Sequence, residues 1–507
     1  GPAPVRPLEF AGAPHDPDGT EAAEGEHSEF DPATMQFVVD PDGSGWQPLG
    51  ADRPPVRERP TDPITEMDGP DRGFAAQAPT VLPLTPGALR LLNKRADGIE
   101  VRAISLDLVE GCAVPTVRAA VEALLQRHPM LWARLHRSDE GVRFEIPAPA
   151  DRIDHGWWHH VSDDSSDRAV GVAAAELDPE TGRNIRFVLT DESTPEDPES
   201  LLTLVIVANG LVVDDESWRV IIDEVSRACS NSGHELADTV DPTGLSRLLA
   251  DRAIAAETTD QLSWWNRALP PADPEQPDHP SGRGRVTVSL TAEGSAALAT
   301  VARRYYATVD EVLVAGLATV LLPEEGADLA IALGPVLRLS VDARGLDPAV
   351  GKGVVGAFTT SYPVRLGLRQ VDIEEVFVGG RSAGTVIEQI HRQLRAVPAH
   401  GVDLGLLRHR DPDAAAAVAA LASGRVGFRY RDLRPAAVFP EAAEADLLLD
   451  VTVEATDDGL TARFDFAPVL ALEDVRALVE KWIRVLGGFA EHGATGGVRG
   501  AGAHDPA

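Results

Sequence analysis

Residues 201–225 read LLTLVIVANGLVVDDESWRVIIDEV, and this stretch decides the fold. Leu201 to Ala208 is an apolar run too short to span a bilayer and long enough for a fully buried strand. Asn209-Gly210 is a turn-prone pair that ends the run. Leu211-Val212-Val213 then leads into Asp214-Asp215-Glu216, after which the spacing becomes helical, with Trp218, Val220, Ile221, Ile222 and Val225 turned to a core. Acids in a first helical turn complement the helix dipole, and Ser217 or Asp214 can cap free N–H groups. The segment therefore reads as a strand, a loop and a helix at the edge of a lobe.

Working outward, strands and helices interleave twice between about residues 80 and 491. Strand-like runs are Arg102–Val109, Asn184–Thr190, Leu201–Ala208, Val286–Leu290, Ala330–Leu333, Ser361–Leu366, Val426–Tyr430 and Leu447–Ala455. Helical spacing is found in Thr116–Leu125, Ser217–Ala228, Asp310–Leu321 and Glu375–Leu394. A Pro-rich stretch near 271–284 divides the two halves. The expected architecture is α/β: an N-terminal lobe over 80–270, a linker over 271–284, a C-terminal lobe over 285–491 and a Gly/Ala-rich tail over 492–507, with any site in the crevice between the lobes.

The chain has 507 residues and a formal net charge of −34. Residues 1–79 hold 14 of the 39 prolines and 16 acids against five arginines, so this arm carries −11 and the body −23. Such a composition buries too little apolar surface to offset chain entropy, so a disordered acidic arm or linker is expected. Inside it, Met35-Gln36-Phe37-Val38-Val39 reads as a hairpin or a peptide docked on the body, or as a transient apolar spot. No basic stripe is present, which argues against nucleic acid and anionic membrane as partners. Cys112 and Cys229 form no disulfide framework and no metal-type spacing. A cytoplasmic protein without metal or other cofactor is expected.

The central stretch, Asn209-Gly210-Leu211-Val212-Val213-Asp214-Asp215-Glu216-Ser217-Trp218-Arg219, resembles the HHxxxDGxSW motif of the condensation and epimerization domains of non-ribosomal peptide synthetases. Other segments resemble that family's motifs in the same order. They are Leu82–Pro86 (the opening motif), His128–Arg134 (HxxLR), Gly356–Val364 (GWFTxxYPV), Val397–Arg408 (PxxGxxYGxLR) and Gly427–Tyr430 (FNY). The resemblance covers about 82–490. It implies two chloramphenicol-acetyltransferase-like lobes in a V-shaped pseudo-dimer, and a salt bridge between Asp214 and an arginine of the other lobe, Arg344.

The departures bear on function. The resemblance places the family's second histidine, the catalytic or charge-stabilising group, at Gly210, which has no side chain to move a proton. The first histidine is replaced by Asn209, which hydrogen-bonds but is no base near neutral pH. The EGHGRE segment of epimerization domains corresponds to Ser340–Gly345, where Arg344 remains and no glutamate does. Asp215 stands where the family has glycine, so a carboxylate is expected in the substrate tunnel, obstructing a phosphopantetheine arm.

The resulting expectation is a catalytically inactive domain, most similar to the X-domain of glycopeptide synthetases, which recruits haem oxygenases of the cytochrome P-450 type to a peptide on its peptidyl carrier protein. X-domains would be expected to keep the first histidine, so Asn209-Gly210 departs from them too. One alternative is an atypical active condensation or epimerization domain using His159, His160, Asp215 or Glu216; the other is a structural spacer.

Three literal matches fail on context. Trp157–Ser165 spells HHxxxD in a polar loop well before the expected place, and His155, His159 and His160 lack a carboxylate or thiolate partner for a metal. Gly351–Gly356 spells GxGxxG but leads into a strand, and Gly380–Gly384 spells GxSxG within a helical region.

Overall fold

The computed structural model describes residues 37–40, 79–94, 99–109, 112–138, 141–152, 156–161, 166–191, 202–230, 239–273, 282–322, 328–438 and 444–495. Three sheets organise them. A five-stranded sheet in the first lobe has the order Ala437–Val438, Val101–Asp107, Leu202–Asn209, Ile185–Asp191 and Trp158–Val161. Its central strand is apolar from Leu204 to Ala208 because both faces are covered. Ile104, Leu204 and Ile206 pack on one side with residues of the helices Val114–Arg127 and Asp215–Ser230, while Val205 and Val207 pack on the other with the helix Ser166–Ala175. A three-stranded sheet of Thr80–Pro83, Gly141–Ile146 and Arg134–Ser138 completes this lobe.

The second lobe is built on a seven-stranded sheet. Its order is Phe37–Asp40, Gly284–Thr291, Gly459–Phe466, Leu449–Thr456, Val426–Arg431, Val336–Asp342 and Thr359–Arg365. The helices Ala292–Arg304, Val309–Val320, Arg381–Arg395 and Leu472–Thr495 pack on one another and on this sheet, around a core in which Trp482 meets Phe464 edge-on at 5.4 Å. Two lobes of this kind are the expected pair of acetyltransferase-like units.

Each lobe reaches into the other. Ala437–Val438, from the C-terminal half, adds an edge strand to the first lobe's sheet, with Ala437 opposite Ser105 and Val438 opposite Ile104. The helix Thr243–Ile254, from the N-terminal half, buries Leu245 and Leu249 against Ala343, Val354, Phe358, Val402 and Leu406. Buried Asp403 fixes that helix, accepting from Arg252 Nη2 at 2.8 Å and from the Gln261 amide. Most of the Pro-rich 271–284 stretch, and all of the acidic arm except residues 37–40 and 79, lie outside the described residues. Phe37–Asp40 pairs antiparallel with Arg285–Val288, the docked alternative for that apolar patch.

Two expected elements are corrected. Ala330–Leu333 is the end of a helix, Asp328–Leu333, and the strand begins at Val336, beyond Gly334 at φ 73° and Pro335. An apolar run of four residues carries no period that separates helix from strand. Glu375–Leu394 is two helices, Ile373–Phe377 and Arg381–Arg395. They break at Gly379, whose φ of 67° suits glycine and where a Cβ would stand 2.7 Å from Glu491 Cβ. The strand Gly459–Phe466 escaped sequence reading because Arg463 and Asp465 interrupt its apolar character, yet Asp465 is buried and bonded to Arg285 at 2.7 Å.

Cys112 and Cys229 are free thiols, and burial pushes both pKa values up. Among the described residues no helix is long and apolar enough to cross a membrane. Asp403→Ala is expected to cost about 2–4 kcal/mol in denaturant unfolding, because it strands Arg252 and Gln261 at the contact between the halves.

Candidate functional site

Strand Leu202–Asn209 ends at a tight turn that Asn209 builds. Its Oδ1 accepts from Leu211 N at 3.1 Å and Glu100 N at 3.3 Å, and its carbonyl accepts from Val212 N and Val213 N. The turn delivers Asp214 to the front of helix Asp215–Ser230 and to the centre of the molecule. Asp214 is 4% exposed, and its carboxylate takes seven hydrogen bonds. Oδ1 accepts from Ser217 N (2.9 Å), Ser217 Oγ (2.7 Å) and Arg344 Nη2 (2.9 Å). Oδ2 accepts from Arg344 Nη1 (2.9 Å), Phe358 N (2.8 Å), Thr359 N (2.9 Å) and Thr359 Oγ1 (3.0 Å).

Arg344 is equally enclosed. Its remaining donors reach Val354 O (2.7 Å), Asp342 Oδ1 (2.9 Å), Ser217 Oγ (3.0 Å) and Gly356 O (2.9 Å), and the Phe358 ring centre is 5.0 Å from Cζ. Burial alone would raise the Asp214 pKa, but the Arg344 charge and these donors bring it down to about 2. Burial likewise opposes the Arg344 charge, and Asp214 and Asp342 outweigh it, so its pKa is raised. Trp218 is buried behind the pair, its helix held in place by Ser217, which also accepts from Gly356 N at 3.0 Å. The site joins the first lobe to three segments of the second and holds both charges permanently.

Beside it lies a second set of charges. Arg102 Nη2 is 3.2 Å from Glu100 Oε1, and Arg102 Nη1 is 3.4 Å from Asp215 Oδ1. The same Asp215 oxygen is 3.3 Å from Arg431 Nε, in the second lobe's sheet; Arg431 Nη1 is 3.6 Å from Glu454, which Arg463 holds at 3.0 Å. Six charges of alternating sign thus run from one lobe to the other. Gly210 borders them: a Cβ there would stand 3.0 Å from Glu100 Oε2 and 3.1 Å from Arg102 Nε. A larger side chain at 210 has no room without displacing this ladder.

No family model matches the chain. By sequence it is 24% identical over 366 residues to one subunit of the phenolphthiocerol/phthiocerol polyketide synthase of Mycobacterium tuberculosis, covering 66% of this chain and 23% of that protein. It is also 24% identical over 310 residues to one of the linear gramicidin synthase proteins of Brevibacillus parabrevis, covering 58% of this chain and 4% of the synthase protein. The chain therefore spans less than a quarter of either relative. In structure it resembles the epimerization domain from the third module of tyrocidine synthetase B, with a TM-score of 0.64 and 18% identity over 83% of this chain and 99% of that one. The X-domain of teicoplanin biosynthesis, solved in complex with OxyB, gives a TM-score of 0.54 and 19% identity over 82% of this chain and 95% of that one. The fold is that of the condensation, epimerization and X-domains among solved structures.

Of the other quoted segments, Leu82–Pro86 and Gly356–Val364 meet across the lobes. Thr85, in the opening motif, caps Ala88 N at 3.2 Å and donates to Ala357 O across the lobes. His128 is buried on Glu224 at 2.8 Å, between two first-lobe helices. Gly401, at φ 89°, lies against the Tyr362 ring, where a Cβ would come within 2.2 Å. The GxSxG serine, Ser382, donates to Glu375 at 2.6 Å at the start of a helix preceded by another helix.

The second histidine pair stands elsewhere. Trp158–Val161 is an edge strand, not the polar loop expected, because it completes the five-stranded sheet beside Ile185–Asp191. His159 and His160 pair with Val188 and Leu189, which in turn face Val205 and Leu204, four and five residues back from Asn209. His159 does have a carboxylate partner, Glu176 at 3.0 Å, which Arg186 also holds at 3.0 Å; His155 lies outside the described residues. Among the described residues no three His, Cys, Asp or Glu side chains are grouped to hold a metal.

Sequence reading missed Glu100, Arg102 and Arg431. The available signal was a pair of arginines in strand-like segments: Arg102 opens the first strand, and Arg431 directly follows Gly427–Tyr430. Asp215 is correspondingly engaged by two arginines rather than projecting alone into a tunnel. Because the Asp214 pKa is depressed, its contribution to stability is complete above the unfolded value near 4 and is lost as pH falls through about 2. Asp214→Asn is therefore expected to cost about 3–5 kcal/mol at neutral pH by leaving Arg344 buried and underpaired. The gap between mutant and wild-type denaturant midpoints should narrow from pH 4 towards pH 2 (approximate bounds set by the two pKa values).

Proposed function

We propose that this condensation-type domain is catalytically silent and works as a platform that recruits a haem oxygenase of the cytochrome P-450 type to a peptide held on a carrier protein. The observation that carries the reading is the state of position 210. No side chain there can move a proton, and the space a histidine would need is bordered by Glu100 and Arg102. Asn209 is consumed by the turn, and Asp214 is a permanently charged structural anion rather than a base.

Recruitment is supported by the likeness to the teicoplanin X-domain, a protein seen bound to OxyB. The charge of −23 on residues 80–507 suits a partner with a basic face, through steering that salt screens. A second reading, an epimerase or condensation enzyme acting on a carrier-bound aminoacyl or peptidyl thioester, is favoured by the higher TM-score to an epimerization domain. An acid near the site with a raised pKa is Glu216, where burial is the chief cause.

Turnover separates the two. With a carrier protein loaded with an aminoacyl or peptidyl thioester, α-carbon deuterium exchange and amide formation are expected to stay at the background of carrier alone. Turnover that Asp215→Ala or Glu216→Gln abolishes would establish the enzyme instead. Gly210→His is expected to leave turnover at background and to lower stability by about 1–3 kcal/mol, since the ring must displace the Glu100–Arg102 pair. For recruitment, binding of co-encoded P-450 oxygenases should be measurable at micromolar concentration and weaken as ionic strength rises. Absence of binding to all of them would leave the spacer role.

A further inference from the structure

Four segments of the second lobe converge on Tyr305, the residue that ends helix Ala292–Arg304. Its Oη lies 2.6 Å from Nε2 of His492, on helix Leu472–Thr495, and His492 Nδ1 lies 3.0 Å from the Gly379 carbonyl. A carbonyl oxygen can only accept, so the ring proton of neutral His492 sits on Nδ1 and the tautomer is fixed. Nε2 then carries the lone pair, and the Tyr305 hydroxyl donates to it. Gly384, buried in helix Arg381–Arg395, covers the pair: a Cβ there would stand 2.3 Å from Tyr305 Oη and 2.7 Å from His492 Nε2.

The chain has four tyrosines. Among the described residues Tyr305 is the one whose hydroxyl has a hydrogen-bond partner, and that partner is a base; its neighbour Tyr306 is 87% exposed. What the arrangement supplies beyond a tie between two helix ends is a half-buried phenol whose proton has a prepared acceptor. Two simpler routes to an oxidised phenol are opposed. Burial raises the Tyr305 pKa despite the charge of Arg304, which disfavours the phenolate. The Arg304 guanidinium, 6.0 Å from the ring centre, disfavours a cationic radical. Loss of the electron together with transfer of the proton to Nε2 avoids both.

We propose that Tyr305 and His492 form a redox-active pair, in which Tyr305 gives one electron to a strong one-electron oxidant and its phenolic proton to His492. The Oη–H bond breaks and an Nε2–H bond forms, while the oxidant is reduced by one electron. The products are a neutral tyrosyl radical and an imidazolium whose Nδ1–H stays on the Gly379 carbonyl; re-reduction returns the proton. The assignment goes beyond the recruitment reading and stands without it, since the pair lies wholly within this chain. Beside a haem oxygenase it gives a stray oxidising equivalent a place to be reduced.

The test oxidises the full chain with photogenerated ruthenium(III) tris(bipyridine), freeze-quenches it and reads the radical by electron paramagnetic resonance. Wild type is expected to give a tyrosyl signal that forms more slowly in deuterium oxide, because an O–H bond breaks in the step. Tyr305→Phe, which removes one oxygen and keeps the ring, should lose the signal, whereas Tyr306→Phe should keep it. His492→Gln should slow radical formation by about a hundredfold, as loss of a positioned base does. Circular dichroism of each variant should match wild type, so that these losses read as chemistry rather than unfolding. No tyrosyl radical in wild type, a signal that survives Tyr305→Phe, or a rate unchanged by His492→Gln or by deuterium oxide overturns the proposal.

Discussion

Asp214 and Arg344 meet with two parallel N–H···O contacts at 2.9 Å in a place that water does not reach. An ion pair in such surroundings is favourable only when every remaining lone pair and proton is used, since the desolvation of both groups is large. Here the requirement is met from four directions: the first turn of the Asp215–Ser230 helix, the Asp342–Arg344 corner, the Val354–Gly356 carbonyls and the Phe358–Thr359 amides. The geometry of the lobes depends on this one contact, because no single segment could shift without leaving a buried charge short of a partner.

Around that node the body's charge is spent in two ways. The ladder from Glu100 to Arg463 alternates in sign, three acids against three arginines, so its formal charges sum to zero. Exposed pairs elsewhere, such as Arg118–Glu122 and Arg476–Glu473, are individually weak and screened by salt.

Much of this was readable in residues 201–225. The apolar run, the Asn-Gly turn, the acids at the helix start and the buried Trp218 are local features, set by propensity and by the dipole of one helix. The motifs from Leu82 to Tyr430 were legible for the same reason: each is a short segment whose residues serve their own turn or helix end, as Thr85 caps its helix and Gly401 bends beneath Tyr362. Where a segment's state depended on distant partners, reading failed. Ala330–Leu333 has too few residues to show a period, the Gly379 break is demanded by Glu491 and His492 more than a hundred residues away, and Trp158–Val161 becomes a strand only because Ile185–Asp191 offers an edge.

The sequence by itself determined the two-lobed α/β plan, Asn209 and Gly210 at the end of the central strand and Asp214 at a helix start, since each follows from residue identity and short-range spacing. Only the tertiary structure decided what surrounds them. Glu100, Arg102, Asp215 and Arg431 lie in three distant parts of the chain, and whether a carboxylate at 215 stands in an open tunnel or between two arginines depends on how the sheets are brought together. Coulomb interactions of this kind fall off with distance in space and carry no signature along the chain.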